Sequence, residues 1–523
     1  MGSSIVEPEA EKASPDALPS GGEGDVHDLD SLTALGYTPE LRRNRSLFTL
    51  LFQTLAIAAI PFGEGGPFIS AIYGGGQLSI FVGWIVVLIL DECVALSLSE
   101  LASRYPTSAG PYYWSFQVAK SNKTVLSFIT GWIWLIGNWT ITLSVNFGFA
   151  SLIGATISIY HPDFTAQPWQ LLLIFFAICL ITLTICALGN TFLPMVDTIC
   201  AAWTALSILI ILIALSVKAD VGRHSASYTL GHYDTSFSGW GGFTFFIGLL
   251  PAAYTFSAIG IISSMAEEVA DPAIKVPKAM SLCVPVGGIA GLFFIIPICA
   301  TMPPLADIID ASLVQYGQAI PFIFHTVMGT PGGGLGLTFL VLGVTMFCSI
   351  SITVAASRCT WAFARDNAIP GAKIFAVVNK KLGIPLYALI LTTVVQMLLG
   401  LINLGSSSAF LAFVSVGVIA LAVSYAIPIA ISLLWNKRVE VNQARWNCGP
   451  VIGPIVNGVA IAWISFEVVL FSMPTALPVT SISMNYASVV LVGFMSMAAA
   501  WYFIYAKRGN VSFPPPHSYI NKS

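Results

Sequence analysis

Charge is what this chain has least of: Asp, Glu, Lys and Arg make up 9% of its 523 residues, where a soluble globular protein carries about 25%. That shortage excludes an ordinary soluble enzyme. Histidine is scarce as well, with His27, His161, His224, His232, His325 and His517 reading as loop or tail residues. Cys93, Cys179, Cys186, Cys200, Cys283, Cys299, Cys348 and Cys359 lie in or beside apolar runs without framework spacing, so they read as small hydrophobes. There is no nucleophile elbow, no phosphate loop and no metal-spaced His or Cys cluster, so no catalytic residue, metal or cofactor is expected. A net charge of −3 supplies no basic field for nucleic acid.

What the chain has instead is apolar residue, 56% of the total. A dozen membrane helices of about 20 residues each would use about 240 such positions. Hydropathy places spans near 48–74, 78–103, 125–159, 169–189, 191–217, 242–269, 279–302, 335–366, 384–404, 408–435, 452–474 and 486–506. With an internal amino terminus, every Lys and Arg except Lys218 and Arg223 falls on the cytosolic side, which puts both termini there. Residues 1–46, acidic and rich in Pro and Gly, read as a disordered cytosolic tail, and 507–523 as a second tail. Between them, 47–506 reads as one all-α domain: repeats over about 48–217 and 242–435, then peripheral helices over 452–506.

The most informative stretch is Pro61, Phe62, Gly63, Glu64, Gly65, Gly66 and Pro67, inside an otherwise apolar helix. Proline removes a backbone donor and glycine lowers helix propensity, so this span should unwind and free peptide groups. At membrane depth such groups must line a cavity or find protein partners. A half-helix starting near Pro67 would aim its positive end at an anion, and carbonyls of the preceding half could receive an ammonium group. An ionised Glu64 costs several kcal/mol at that depth unless compensated. It can hold a substrate amine, carry a coupling proton, or be a structural carboxyl held by nearby N–H groups.

The sixth span offers a matching interruption at Phe256, Ser257, Ala258, Ile259 and Gly260, preceded by Gly248, Pro251 and Tyr254. Breaks in the first and sixth spans suggest two inverted five-helix repeats with a site between them. Gly63, Glu64, Gly65, Gly66, Tyr254, Phe256, Ser257 and Ala258 are therefore the candidate substrate-binding residues. Tyr254 and Phe256 either wall a pocket, Phe256 by cation–π attraction, or serve as packing aromatics. Other intramembrane acids are Asp91, Glu92, Asp197 and Glu467, set against Arg358 as the one base near the membrane. Helical neighbours point about 100° apart, so Asp91 and Glu92 cannot share one partner. Asn138, Trp139 and Asn146 read as polar packing between helices.

Three stretches carry a resemblance. They are Glu100, Arg104, Pro106, Gly110 and Tyr112 to Trp114; Glu267, Glu268, Asp271, Pro272, Lys275 and Pro277; and Arg358, Trp361, Phe363, Arg365, Asp366 and Pro370. Together they resemble the amino acid/polyamine/organocation transporter superfamily, and within it the fungal amino acid/choline branch that includes GABA and choline permeases. The resemblance implies a leucine-transporter-like fold of ten core and two peripheral helices, moving a small amine or amino acid such as GABA by alternating access in the plasma membrane. Proton coupling is implied more than sodium coupling. A choline or polyamine carrier, an exporter of an amine-containing specialised metabolite and a channel stand as alternatives. Glu64, Asp197, Glu100, Arg104, Glu267, Glu268, Arg358 and Arg365 are the coupling or gating candidates. Ile259 and Gly260 replace the aromatic–Asp pair that relatives often carry, and the fifth span has Asn190, Pro194 and Asp197 but no lysine. Both departures bear on how the amine and the coupling ion are held.

Overall fold

A computed structural model of the chain describes residues 32–405, 409–435, 438–480 and 484–505. Among these the regular structure is helical, and isolated bridges such as Arg45 with Val269 stand in place of sheets. Eleven helices are long and apolar enough to cross a bilayer, and an interrupted helix at the start of the bundle supplies the twelfth span.

That first span runs Leu47–Ala58, Ile60–Gly63 and Ile69–Tyr73. The second is Gln77–Arg104, the third Lys123–Tyr160, the fourth Pro168–Leu188 and the fifth Leu193–Lys218. The sixth is broken into Thr244–Ile247, Leu250–Phe256 and a 3-10 stretch, Ile259–Glu268. Pro272–Ala300, Pro331–Arg365, Leu386–Gly400, Ala409–Leu434, Gly449–Leu470 and Ala487–Tyr505 complete the set as the seventh to twelfth. At 1.5 Å rise per residue the 38-residue third span is about 57 Å long, well beyond a hydrocarbon layer of about 30 Å. It is buried along most of its length, so protein rather than lipid covers it.

Three expectations need correction. Disorder was expected through residue 46, but packing begins at Leu32: Leu35 and Tyr37 are buried, and the Tyr113 hydroxyl donates to the Leu35 carbonyl at 2.9 Å. Residues 1–31 and 506–523 lie outside the described residues. The segment between the seventh and eighth spans is folded into Leu305–Ala311, a single π turn at Ser312–Tyr316, and Ala319–Met328, which places His325 on a helix. And Arg358 is not the lone base near the membrane, because Arg45 is buried beside it.

Candidate functional site: two interrupted helices above an ion-paired end

Each interruption follows from local chemistry. Ala59 takes the left-handed conformation (φ 43°), and Pro61 then starts a short new helix where its missing N–H costs nothing. The Ile57 carbonyl, four residues before Pro61, therefore has no helical donor to receive, and the Cys348 thiol of the eighth span takes that place at 3.3 Å. The sixth span repeats the solution. Ile261 N–H donates to Ala258 in 3-10 fashion, so the Ser257 carbonyl is released and accepts the Tyr425 hydroxyl of the tenth span at 3.0 Å. Freed peptide groups at membrane depth are thus matched by side chains from other spans.

The two breaks touch. A Cβ on Gly63 would stand 2.8 Å from Thr255 Oγ1 and 2.5 Å from the Ala58 carbonyl, so only glycine permits this approach. Farther along, Gly74 packs backbone to backbone on Gly248. Tyr254 reaches the third span, its hydroxyl 2.8 Å from Ser144 Oγ, and Ser257 Oγ turns back to the Tyr254 carbonyl at 2.9 Å. Glu64 is buried with Oε2 lacking a hydrogen-bond partner, within electrostatic reach of Cys299 of the seventh span. Gly65 lies against Ile320, Gly66 against Phe62, and Ala258 is buried.

Phe256 points elsewhere. Its ring lies 5.2 Å from that of Trp84 and under Gly287, on the side of the second and seventh spans. Of the third-span polar residues, Trp139 donates to Thr360 Oγ1 at 3.0 Å and Asn146 to Gln396 at 2.7 Å, which is packing between helices. Sequence reasoning missed Ser144 and Tyr425, and also Trp134 and Thr353, each of which buries a polar atom without a partner. Single polar residues inside apolar helices give no sequence signal that separates such positions from packing.

At one end of the bundle Asp197, Glu100, Glu267, Glu268, Arg358 and Arg365 of the gating candidates form an ion-paired layer, and Glu64 stands apart from it. Arg45 Nη1 meets Asp197 at 2.9 Å and its Nε meets Glu268 at 3.1 Å, while Arg358 Nε holds the other oxygen of Glu268 at 2.8 Å. Asp197 also accepts from Ser351, and Arg358 donates to Asn190. Arg365 grips Glu267 with two parallel bonds of 2.9 and 3.0 Å and stacks under Tyr37 at 4.0 Å and over Trp361 at 4.4 Å. Glu100 pairs with Arg438 through both terminal guanidinium nitrogens, and Arg104 donates to Gln443. One residue past the eighth span, Asp366 Oδ2 accepts from both Tyr37 (2.9 Å) and Tyr112 (2.8 Å). Burial pushes the Asp366 carboxyl up to about 6, although Arg365 and the two hydroxyls pull the other way. Burial also raises the Tyr37 and Tyr112 hydroxyls well above the usual phenol range. The layer joins the segment before the first span to the fifth, sixth and eighth spans and closes this end.

Comparison with known proteins gives a consistent set of relatives. The family model described as amino acid permease matches residues 46–495. An amino-acid permease of Arabidopsis thaliana is 28% identical over 494 residues, covering 91% of this chain and 94% of its own. The choline transporter of Saccharomyces cerevisiae is 28% identical over 91% of this chain and 84% of its own. A polyamine transporter of the same yeast is 28% identical over 83% and 71% respectively.

Proposed function

The chain belongs to the amino acid permease family, as a multi-pass membrane transporter of amino acids or related amines, and from that premise we propose that it carries a small ammonium-bearing solute, GABA being the first candidate, together with protons and by alternating access. One observation supports this above the others: the first and sixth spans break beside each other, and Glu64 stands at the first break with a buried, unpartnered oxygen. A cation is the natural complement of a carboxylate in that setting. A substrate carboxylate would meet the start of the half-helix after Pro67. A polyamine is the second reading, favoured by Asp91 and Glu467, which add two buried acids away from the ion-paired end.

Lys and Arg cluster at the ion-paired end, so by the positive-inside rule that end faces the cytosol and the solute enters from the opposite face. Opening inward then requires the layer of Arg45, Asp197, Glu268 and Arg358 to separate as the broken spans rock. We place the carrier in the plasma membrane.

The test is uptake into proteoliposomes. Radiolabelled GABA, choline, putrescine and a panel of amino acids are offered with and without an inward proton gradient. Saturable, gradient-stimulated uptake of one class is expected, with a loss of more than about tenfold in Glu64→Gln. Unsaturable flux would indicate a channel, and wild-type behaviour of Glu64→Gln would remove that residue from the site.

A further inference from the structure

A second pair of acids lies apart from the first break. Asp91 of the second span and Glu467 of the eleventh are 6% and 4% exposed, and they line one narrow, water-sized cavity with Ser257, Ile259 and Tyr425. The Trp463 indole N–H donates to Asp91 Oδ1 at 2.8 Å, while Asp91 Oδ2 is buried with no hydrogen-bond partner. Residues 81–103, 244–266, 409–434 and 449–470, the helix segments around the cavity, contain no Lys, Arg or His, and the base that ends the second span, Arg104, is thirteen residues from Asp91. The other titratable groups nearby are the Tyr425 hydroxyl, already committed to the Ser257 carbonyl, the Cys93 and Cys359 thiols, and Glu92, which lies within electrostatic reach of Cys283 of the seventh span.

We infer that Asp91 and Glu467 form a proton-binding site that couples to movement of the sixth span. Two ionised carboxylates in one narrow cavity, with no Lys, Arg or His on the helix segments that line it, would each cost several kcal/mol. A single proton shared between them removes one charge, and the indole N–H stabilises the other. The cavity is too small and too poor in oxygen ligands for calcium or magnesium, which take six or more. Its wall includes Ser257 and Ile259, which flank the sixth-span break, and Tyr425 caps the carbonyl released there. Losing the proton places a second charge against the break, and movement of Ser257 and Ile259 opens the cavity to water. Proton release and helix rearrangement therefore favour each other.

The consequence for transport rests on the carrier reading, but the site itself is testable without substrate. Infrared difference spectra of the purified full chain, taken through a pH titration, should show, beside the band that Asp366→Asn removes, a protonated-carboxyl C=O band that Asp91→Asn and Glu467→Gln each abolish and that Glu64→Gln and Glu92→Gln retain. Trp463→Phe, which keeps both acids, should move the midpoint of that band and so guards against misfolding in the acid variants. In proteoliposomes, the acid variants should lose gradient-driven accumulation at least tenfold more than they lose substrate exchange. Spectra of Asp91→Asn and Glu467→Gln that match the wild type would overturn the assignment. So would a band that collapses when sodium is added at fixed pH, which would make sodium the occupant. Should the wild type carry none of the amines offered, the carrier reading falls while the infrared titration still decides the acid pair.

Discussion

The acids at the closed end and the acids at mid-membrane live under opposite rules. Glu100, Asp197, Glu267 and Glu268 each meet an arginine within hydrogen-bond distance. Glu64 and Asp91 are as deeply buried, yet each keeps an oxygen without a partner, and Glu467 shares its cavity with another acid rather than a base. Burial alone therefore does not tell the two groups apart; what separates them is whether the chain itself supplies the counter-charge. Where it does, the carboxylate locks helices together. Where it does not, the chain leaves the carboxylate uncompensated, and these are the acids for which we propose a proton or an ammonium group as the counter-charge.

Removing a counter-charge tests that division most severely. Arg358→Ala leaves Glu268 with Arg45 alone in a site where Arg358 is wholly buried, and breaking such a pair costs about 3–5 kcal/mol. Glu467→Gln, which takes away an acid that no arginine holds, should change the unfolding free energy in mixed micelles by less than about 1 kcal/mol. Equal losses in the two variants would erase the distinction. Arg365→Lys comes next. Lysine keeps the charge but gives up the two-pronged grip on Glu267 and the stacking on Tyr37 and Trp361, worth about 2 kcal/mol together. If the Arg365→Lys variant unfolds with the wild-type free energy, the layer depends on charge and not on guanidinium geometry.

The interruptions were legible in the sequence because proline and glycine act locally, and Pro61 and Gly63 do in the structure what their chemistry requires. The opposed directions of Asp91 and Glu92 were legible for the same reason: adjacent helical residues diverge, and one faces Trp463 while the other faces Cys283. Partnership was not legible. Arg45 is 152 residues from Asp197 and Trp463 is 372 from Asp91, and neither pair leaves a local pattern. Arg45 in particular follows Arg42 and Arg43, so it reads as one more solvated base ahead of a membrane span. Only packing of the Leu32–Ser46 stretch carries it inward, and that packing depends on Leu35 and Tyr37 meeting Tyr113 and Asp366.

Asp366 supplies the mildest test, since it lies in the paired layer yet is held by hydroxyls as well as by nearby Arg365. With its folded-state value raised from 3.8 to about 6, the neutral acid is the form that docking of the amino-terminal segment favours. The stabilisation from this group is complete below about pH 4 and is lost as pH rises through 6. Asn mimics the neutral acid at every pH. Tryptic cleavage after Arg42 or Arg43, taken as the ratio of wild type to Asp366→Asn so that the protease's own profile cancels, should climb about tenfold between about pH 5 and about pH 7. A ratio that stays flat would mean that Tyr37 and Tyr112 hold the ionised carboxylate as readily as the acid. Asp366 would then rank with Glu267 and Glu268, a fully compensated charge, and the boundary between the two kinds of acid would lie inside the membrane rather than at its edge.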